Sequence, residues 1–187
     1  MTSHCTPPGA STRLPAALRG ALGALCLWAL LQPPTQAAQL SVLWGHGRGG
    51  YGNATLAYQT APLWQHAYTP SVLDVVLEAS LGEVTAPSGA ANRSLTHVGL
   101  TPFARWWFTS QTAVEFGIGA NVFSGTELGG KHISTAYQFG DSIGVLHRFD
   151  GTPWTLGLRL THYSNADIKR PNPGQDYLQL RLGYHFD

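Results

Sequence analysis

Trp154-Thr155-Leu156-Gly157-Leu158-Arg159-Leu160-Thr161-His162-Tyr163-Ser164 decides how this chain is read. Its even positions are Trp154, Leu156, Leu158, Leu160, His162 and Ser164, and its odd positions are Thr155, Gly157, Arg159, Thr161 and Tyr163. A strand sends alternate side chains to opposite faces. Four apolar residues, a histidine and a serine therefore share one face, while an arginine points to the other. A soluble sheet would bury the apolar face. In a membrane barrel the same face meets lipid, and the arginine lies in a polar interior.

The same alternation recurs along the chain. The sequence predicts eight strands, at about 40–47, 53–60, 71–83, 95–108, 112–123, 132–148, 154–164 and 176–186, with turns or loops between them. In the third, Leu73, Val75, Leu77, Ala79 and Leu81 oppose Asp74, Val76, Glu78 and Ser80. The fifth is the cleanest, with Val114, Phe116, Ile118, Ala120 and Val122 opposing Glu115, Gly117, Gly119 and Asn121. The sixth has a weaker pattern, broken near Asp141, and Pro102 blemishes the fourth. An even number of antiparallel strands closes without an edge. The expected fold is all-β, an eight-stranded antiparallel transmembrane barrel of the outer membrane. Asp74, Glu78, Arg105, Glu115, Arg159 and Arg181 would neutralise one another in its lumen, which at this size is filled by side chains and holds no pore.

Composition agrees. Charged residues make up 11% of the chain, against about 25% in soluble domains. No Lys/Arg cluster argues for nucleic acid, and no histidine pair has the spacing of a metal site. Residues 1–38 read as a secretory signal, with Arg13 and Arg19 before an apolar run from Gly20 to Leu31 and small residues near Ala37 and Ala38. That run is shorter than the roughly 20 residues of a membrane-spanning helix. Both cysteines, Cys5 and Cys26, fall within it or before it, so residues 39–187 would form one barrel domain without a disulfide.

His162 and Ser164 thus stand together at the lipid boundary, which suggests a hydrolase acting on a lipid. Asp176 opens the next strand and shares its lipid-side face with Leu178 and Leu180. A hairpin brings the end of one strand beside the start of the next. A serine nucleophile needs a base, and the base needs an acid to orient it and hold its charge. Ser164, His162 and Asp176 supply all three. Each residue alone has a plainer explanation, as a rim or turn residue, and Asp176 in Pro-Gly-Gln-Asp is a natural turn former.

The chain resembles the outer-membrane lipid A 3-O-deacylases (PagL-like). The resemblance is carried by His162-Tyr163-Ser164-Asn165-Ala166, Ile168-Lys169, Pro171-Asn172 and the acid at Asp176, with Glu115-Phe116-Gly117-Ile118-Gly119, Phe123-Ser124-Gly125-Thr126 and Phe139 upstream. It implies an eight-stranded barrel that hydrolyses the ester-linked 3-hydroxyacyl chain at position 3 of lipid A, with lipopolysaccharide as substrate. It implies a His-Ser-Glu triad, which falls on His162 and Ser164, with Asp176 where the family has glutamate. It also implies oxyanion help near Asn172, with backbone N–H groups near Asn165 and Ala166 as further donors. Asn165 would orient the loop and Phe139 would face substrate. Lys169 and Arg170 could meet lipid A phosphates or form a solvated loop tip. The chemistry calls for no metal and no organic cofactor, and a homodimer is compatible with it. Two other functions fit the same barrel: a different lipid esterase such as a phospholipase, and a non-enzymatic barrel with a structural or binding role.

Overall fold

The computed structural model describes residues 38–186. Both cysteines, Asp187 and the expected signal up to its last residue lie outside the described residues. Eleven strands follow in order: β1 (Ala38–Gly47), β2 (Gly52–Gln59), β3 (Trp64–Ala67), β4 (Val72–Thr85), β5 (Ser94–Trp107), β6 (Thr112–Phe123), β7 (Glu127–Leu128), β8 (Lys131–His132), β9 (Tyr137–Arg148), β10 (Trp154–Ser164) and β11 (Gln175–Phe186).

Eight of them make the barrel. The antiparallel order β2-β1-β11-β10-β9-β6-β5-β4 is closed by pairing of β2 with β4. The eight expected strands are all present, with ends shifted by a few residues. The largest shift is in the sixth, which starts at Tyr137, because His132 belongs to the small β7–β8 hairpin. Two short pieces add to expectation. β3 pairs with the start of β4 in the stretch between the second and third expected strands, and β7–β8 occupies the stretch before the expected sixth strand together with its first residue, His132. At Pro102, pairing with β6 lapses and resumes at Phe103↔Gly117 in the same register. Pro102 still faces Leu77 of β4, so the missing N–H breaks one ladder locally without a bulge.

The alternation sorts side chains as the membrane demands. Leu158 and Leu178 stand outward at 55% and 58% exposure, while Arg181 is 0% exposed inside. Lipid takes the place of water around the outer face, so the apolar band is stable there. The lumen is a polar network. Arg159 donates to Glu78 at 2.7 and 2.9 Å and to Glu115 at 2.8 Å, and Arg181 reaches Glu115 at 3.1 Å. Arg105 forks onto Asp74 at 2.7 and 2.9 Å, and Trp107 donates to the same carboxylate. All six charges expected inside are therefore paired, as buried charges must be. A residual cavity of about 20 Å³ remains among Glu78, Ser142, Arg159 and Thr161. That is room for about one water, so the lumen is a packed core and not a pore.

Both described termini, Ala38 and Phe186, lie at one end of the barrel. The β1–β2, β4–β5, β6–β9 and β10–β11 connections lie at the other. There Tyr51, Val84, Leu95, Phe123, Leu128, Tyr163 and Tyr177 form an apolar plug, to which β7 contributes Leu128. The plug seals the mouth directly behind the loop that follows Ser164.

Candidate active site at the ends of β10 and β11

Register alone assembles the site. His162 of β10 pairs with Asp176 of β11 on one side and with Asp141 of β9 on the other. Ser164 pairs with Phe139 of β9. All five side chains lie on the outward face, because their neighbours Gly140, Ser142, Thr161, Tyr163 and Tyr177 are buried inward. His162 and Asp176 retain 44% and 54% side-chain exposure, open to the surroundings of the barrel and not to its lumen.

His162 Nδ1 and Asp176 Oδ1 are 2.6 Å apart. A carboxylate only accepts, so Nδ1 is the donor, and in the neutral imidazole this tautomer leaves the lone pair on Nε2. Ser164 stands two residues further along the same face, about 7 Å of strand rise away. The structure joins His162 to Asp176 by a hydrogen bond and places Ser164 on the same outward face, without a hydrogen bond from Ser164 to His162 among the described residues. Direct cross-strand pairing lets the shorter aspartate reach the ring, with no loop adjustment. Phe139 walls Ser164 on the β9 side, its ring edge-on to Tyr137 at 5.1 Å. Asp141 is a residue that sequence reading missed. It registered there only as a break in an apolar pattern, and that break was the available signal.

The loop after Ser164 is tightly tied. Asn165 accepts at its carbonyl from Ile168 N–H at 3.0 Å, across Ala166 (φ 51°) and Asp167 (φ 60°). Two successive positive φ values make this a type I′ turn. The left-handed region costs a residue with a side chain about 1–2 kcal/mol, so the surroundings must hold the turn. They do so through Asn165, which is fully buried: its Nδ2 donates to Lys169 O at 2.8 Å and to Ile133 O at 3.2 Å. Its backbone N–H donates to Asn172 Oδ1 at 3.1 Å. Asn172 Nδ2 in turn donates to Asp167 Oδ1 at 3.3 Å.

Asn165 is therefore a structural tie, and its own N–H is committed. Ala166 N–H enters no hydrogen bond among the described residues. Arg170 leans on Asp167 at 3.0 Å. That bond, and then the one from Asn172, holds the Asp167 carboxyl below the usual carboxylate range. Lys169 accepts from Asn165 through its carbonyl, and the residue is exposed at the loop tip.

The β7–β8 side clasps the same loop. Ser134 Oγ donates to Pro171 O at 2.7 Å. Lys131 Nζ donates to Gln175 Oε1 and lies 4.4 Å from the centre of the Tyr51 ring. Burial lowers the Lys131 ammonium below the ordinary lysine value, and the nearby Asp176 carboxylate opposes that shift.

A membrane-facing barrel wall with a hydrogen-bonded His–Asp pair and a serine on one face defines a class: an outer-membrane β-barrel enzyme that hydrolyses an ester. Comparison with known proteins makes it particular. Residues 38–185 match the family "Lipid A 3-O-deacylase (PagL)", and the chain belongs to that family. It is 39% identical to the lipid A deacylase PagL of Bordetella bronchiseptica over 168 residues, which covers 88% of this chain and 92% of that one. The lipid A deacylase PagL of Pseudomonas aeruginosa is also 39% identical, over 67 residues covering 36% and 38%. The crystal structure of the outer membrane enzyme PagL superposes with a TM-score of 0.69 at 22% identity, over 79% of this chain and 99% of that one. That last likeness speaks to the barrel fold.

Proposed function

We propose that this protein removes the 3-hydroxyacyl chain ester-linked at position 3 of lipid A, using Ser164, His162 and Asp176 as nucleophile, base and acid. The observation that carries the reading is the 2.6 Å bond from His162 Nδ1 to Asp176, with Ser164 on the same lipid-facing strand surface. With the chain ends on the periplasmic side, the usual arrangement in bacterial barrels, β10 runs outward and the site lies level with the outer leaflet.

Free Nε2 takes the proton from Ser164 Oγ as that oxygen attacks the ester carbonyl. Side-chain rotation closes the gap along the strand, since catalytic hydrogen bonds commonly tighten only with substrate bound. Asp176 stabilises the imidazolium that forms. Collapse of the tetrahedral intermediate breaks the bond to the sugar oxygen, which leaves with the proton from Nε2. Water, deprotonated by the same nitrogen, then attacks the acyl-serine and frees the 3-hydroxy fatty acid. Ala166 N–H and the Asn172 amide are the donors for the oxyanion; the second would trade its bond to Asp167 for one to substrate. Phe139 lies beside the scissile region. Lys169 is the more available cation for a lipid A phosphate, since Arg170 shares its charge with Asp167.

Mass spectrometry of lipid A from cells producing the protein or Ser164→Ala tests this. Loss of one 3-hydroxyacyl chain with the native protein alone is expected. Equal deacylation by both would remove Ser164 from the mechanism. Unchanged lipid A with a folded native protein would favour another lipid ester as substrate.

A further inference from the structure

We infer that Gly174 is a positioning residue for the His162 ring, holding its Cε1–Nε2 edge while Asp176 holds Nδ1. The inference rests on the triad reading above.

Gly174 sits in Pro171-Asn172-Pro173-Gly174-Gln175-Asp176, two residues before the acid. Its φ is +61°, the left-handed region where glycine is unstrained. That alone would explain a glycine here. The surroundings add a second reason. A Cβ built on Gly174 would lie 2.7 Å from His162 Cε1, 3.3 Å from Nε2 and 3.7 Å from Nδ1. Real atoms do not approach so closely, so the imidazole occupies the space a side chain would need.

Two contacts then define the ring. Asp176 accepts from Nδ1 at 2.6 Å, and the Gly174 backbone bounds the edge between Cε1 and Nε2. A methyl at Gly174 would push the ring off Asp176 or crowd Nε2, the nitrogen that must meet Ser164 Oγ. Either displacement acts on proton transfer. A misplacement near 1 Å in a reacting group can cost about 10²-fold in rate.

Other glycines separate the two reasons. Gly151 has φ +68°, almost the same backbone, and nothing lies within 4 Å of its built Cβ. It belongs to the β9–β10 turn at the far end of the barrel. Gly151→Ala therefore carries the backbone strain of Gly174→Ala without the clash.

The experiment uses protein purified in detergent micelles, with folding checked by heat-modifiable electrophoretic mobility. Steady-state kinetics on lipid A compare the native protein, Gly174→Ala, Gly151→Ala and Ser164→Ala. For Gly174→Ala, kcat should fall about 10²-fold with KM nearly unchanged, and Gly151→Ala should match the native protein. The His162 Cε1–H resonance should shift in Gly174→Ala only. In the native protein it should show a nuclear Overhauser contact to the Gly174 α-protons, which tests the placement even if the variant does not fold. Native kcat with an unmoved resonance in Gly174→Ala would overturn the proposal. So would equal losses in the two glycine variants, which would assign the effect to backbone strain, or a missing Overhauser contact. A native rate in Ser164→Ala would instead remove the triad itself, and the positioning role with it.

Discussion

His162 Nδ1 and Asp176 Oδ1 meet at 2.6 Å because the two residues are direct register partners of β10 and β11. No loop conformation is needed to bring them together. A hydrogen-bonded strand pair sets the backbone separation at about 5 Å, and an aspartate spans what remains. His162 also has Asp141 as its register partner across β9, yet its ring nitrogen bonds Asp176. The two carboxylates therefore predict different losses. Asp176→Asn should lower kcat by about 10²–10⁴-fold, the upper value being that of a buried protease triad. Asp141→Asn should stay within about tenfold of native. Steady-state rates on lipid A for the two variants settle the assignment, and a reversed order would move the acid to β9.

The lumen predicts a stability effect with no part for the site. Glu115 accepts from both Arg159 and Arg181 and is 1% exposed. Glu115→Ala leaves two buried guanidinium groups with one fewer carboxylate. Removing one partner of such a network costs about 3–5 kcal/mol. The denaturant midpoint for barrel unfolding in micelles should fall accordingly, while kcat of the protein that remains folded should hold. An unchanged midpoint would mean that Glu78 alone satisfies both arginines.

The barrel was legible because its two solvents differ so sharply. Period-two alternation marked Val114 to Val122 as outward and Glu115 to Asn121 as inward, and the strand ends follow from where it stops. What escaped was structure without that contrast. β3 has all four residues exposed and pairs at the rim with β4 alone, so no face of it reads as buried. β7 and β8 are two residues each, too short for any period. At the site, alternation placed His162, Ser164 and Asp176 on one face, but it could not order pairs across strands. Asp141 therefore looked like a flaw in an apolar strand, although register sets it opposite His162. Gly174 carried no signal in the sequence, because only the folded arrangement shows the ring that fills its side-chain space.

The loop after Ser164 predicts a division of labour between two asparagines. Asn165→Ala would leave the Ile133 and Lys169 carbonyls without their donor. Each such loss costs about 1–3 kcal/mol where the group is buried, and the strained turn at Ala166 and Asp167 should relax. Asn172 plays two parts, accepting from Asn165 N–H and offering Nδ2. The exchange Asp167→Asn together with Asn172→Asp keeps an acceptor for Asn165 and a hydrogen bond between the pair, but removes the donor at 172. If that donor serves the oxyanion, kcat of the double variant should fall about 10²–10³-fold with KM little changed. Native kcat in the double variant would leave Asn172 as an acceptor only, and Ala166 N–H as the oxyanion donor.

Asp167 predicts how the same loop responds to acid. Its carboxyl is held below the usual range by the bond from Arg170, then by the bond from Asn172. A group whose value is depressed on folding supports the folded arrangement above its unfolded value, about 3.9 for aspartate. The support is lost as pH falls through the lower, folded value. The ties from Asp167 to Arg170 and Asn172 should thus persist down to about pH 4 and release below it. Because Asn172 also holds the Asn165 amide, that amide reports the release. Its resonance, followed by NMR between about pH 2 and 6, should step below the ordinary aspartate value. In Asp167→Ala the step should vanish. A step at or above the ordinary value would show that Arg170 and Asn172 do not favour the charged form, and that the clamp contributes nothing to the loop.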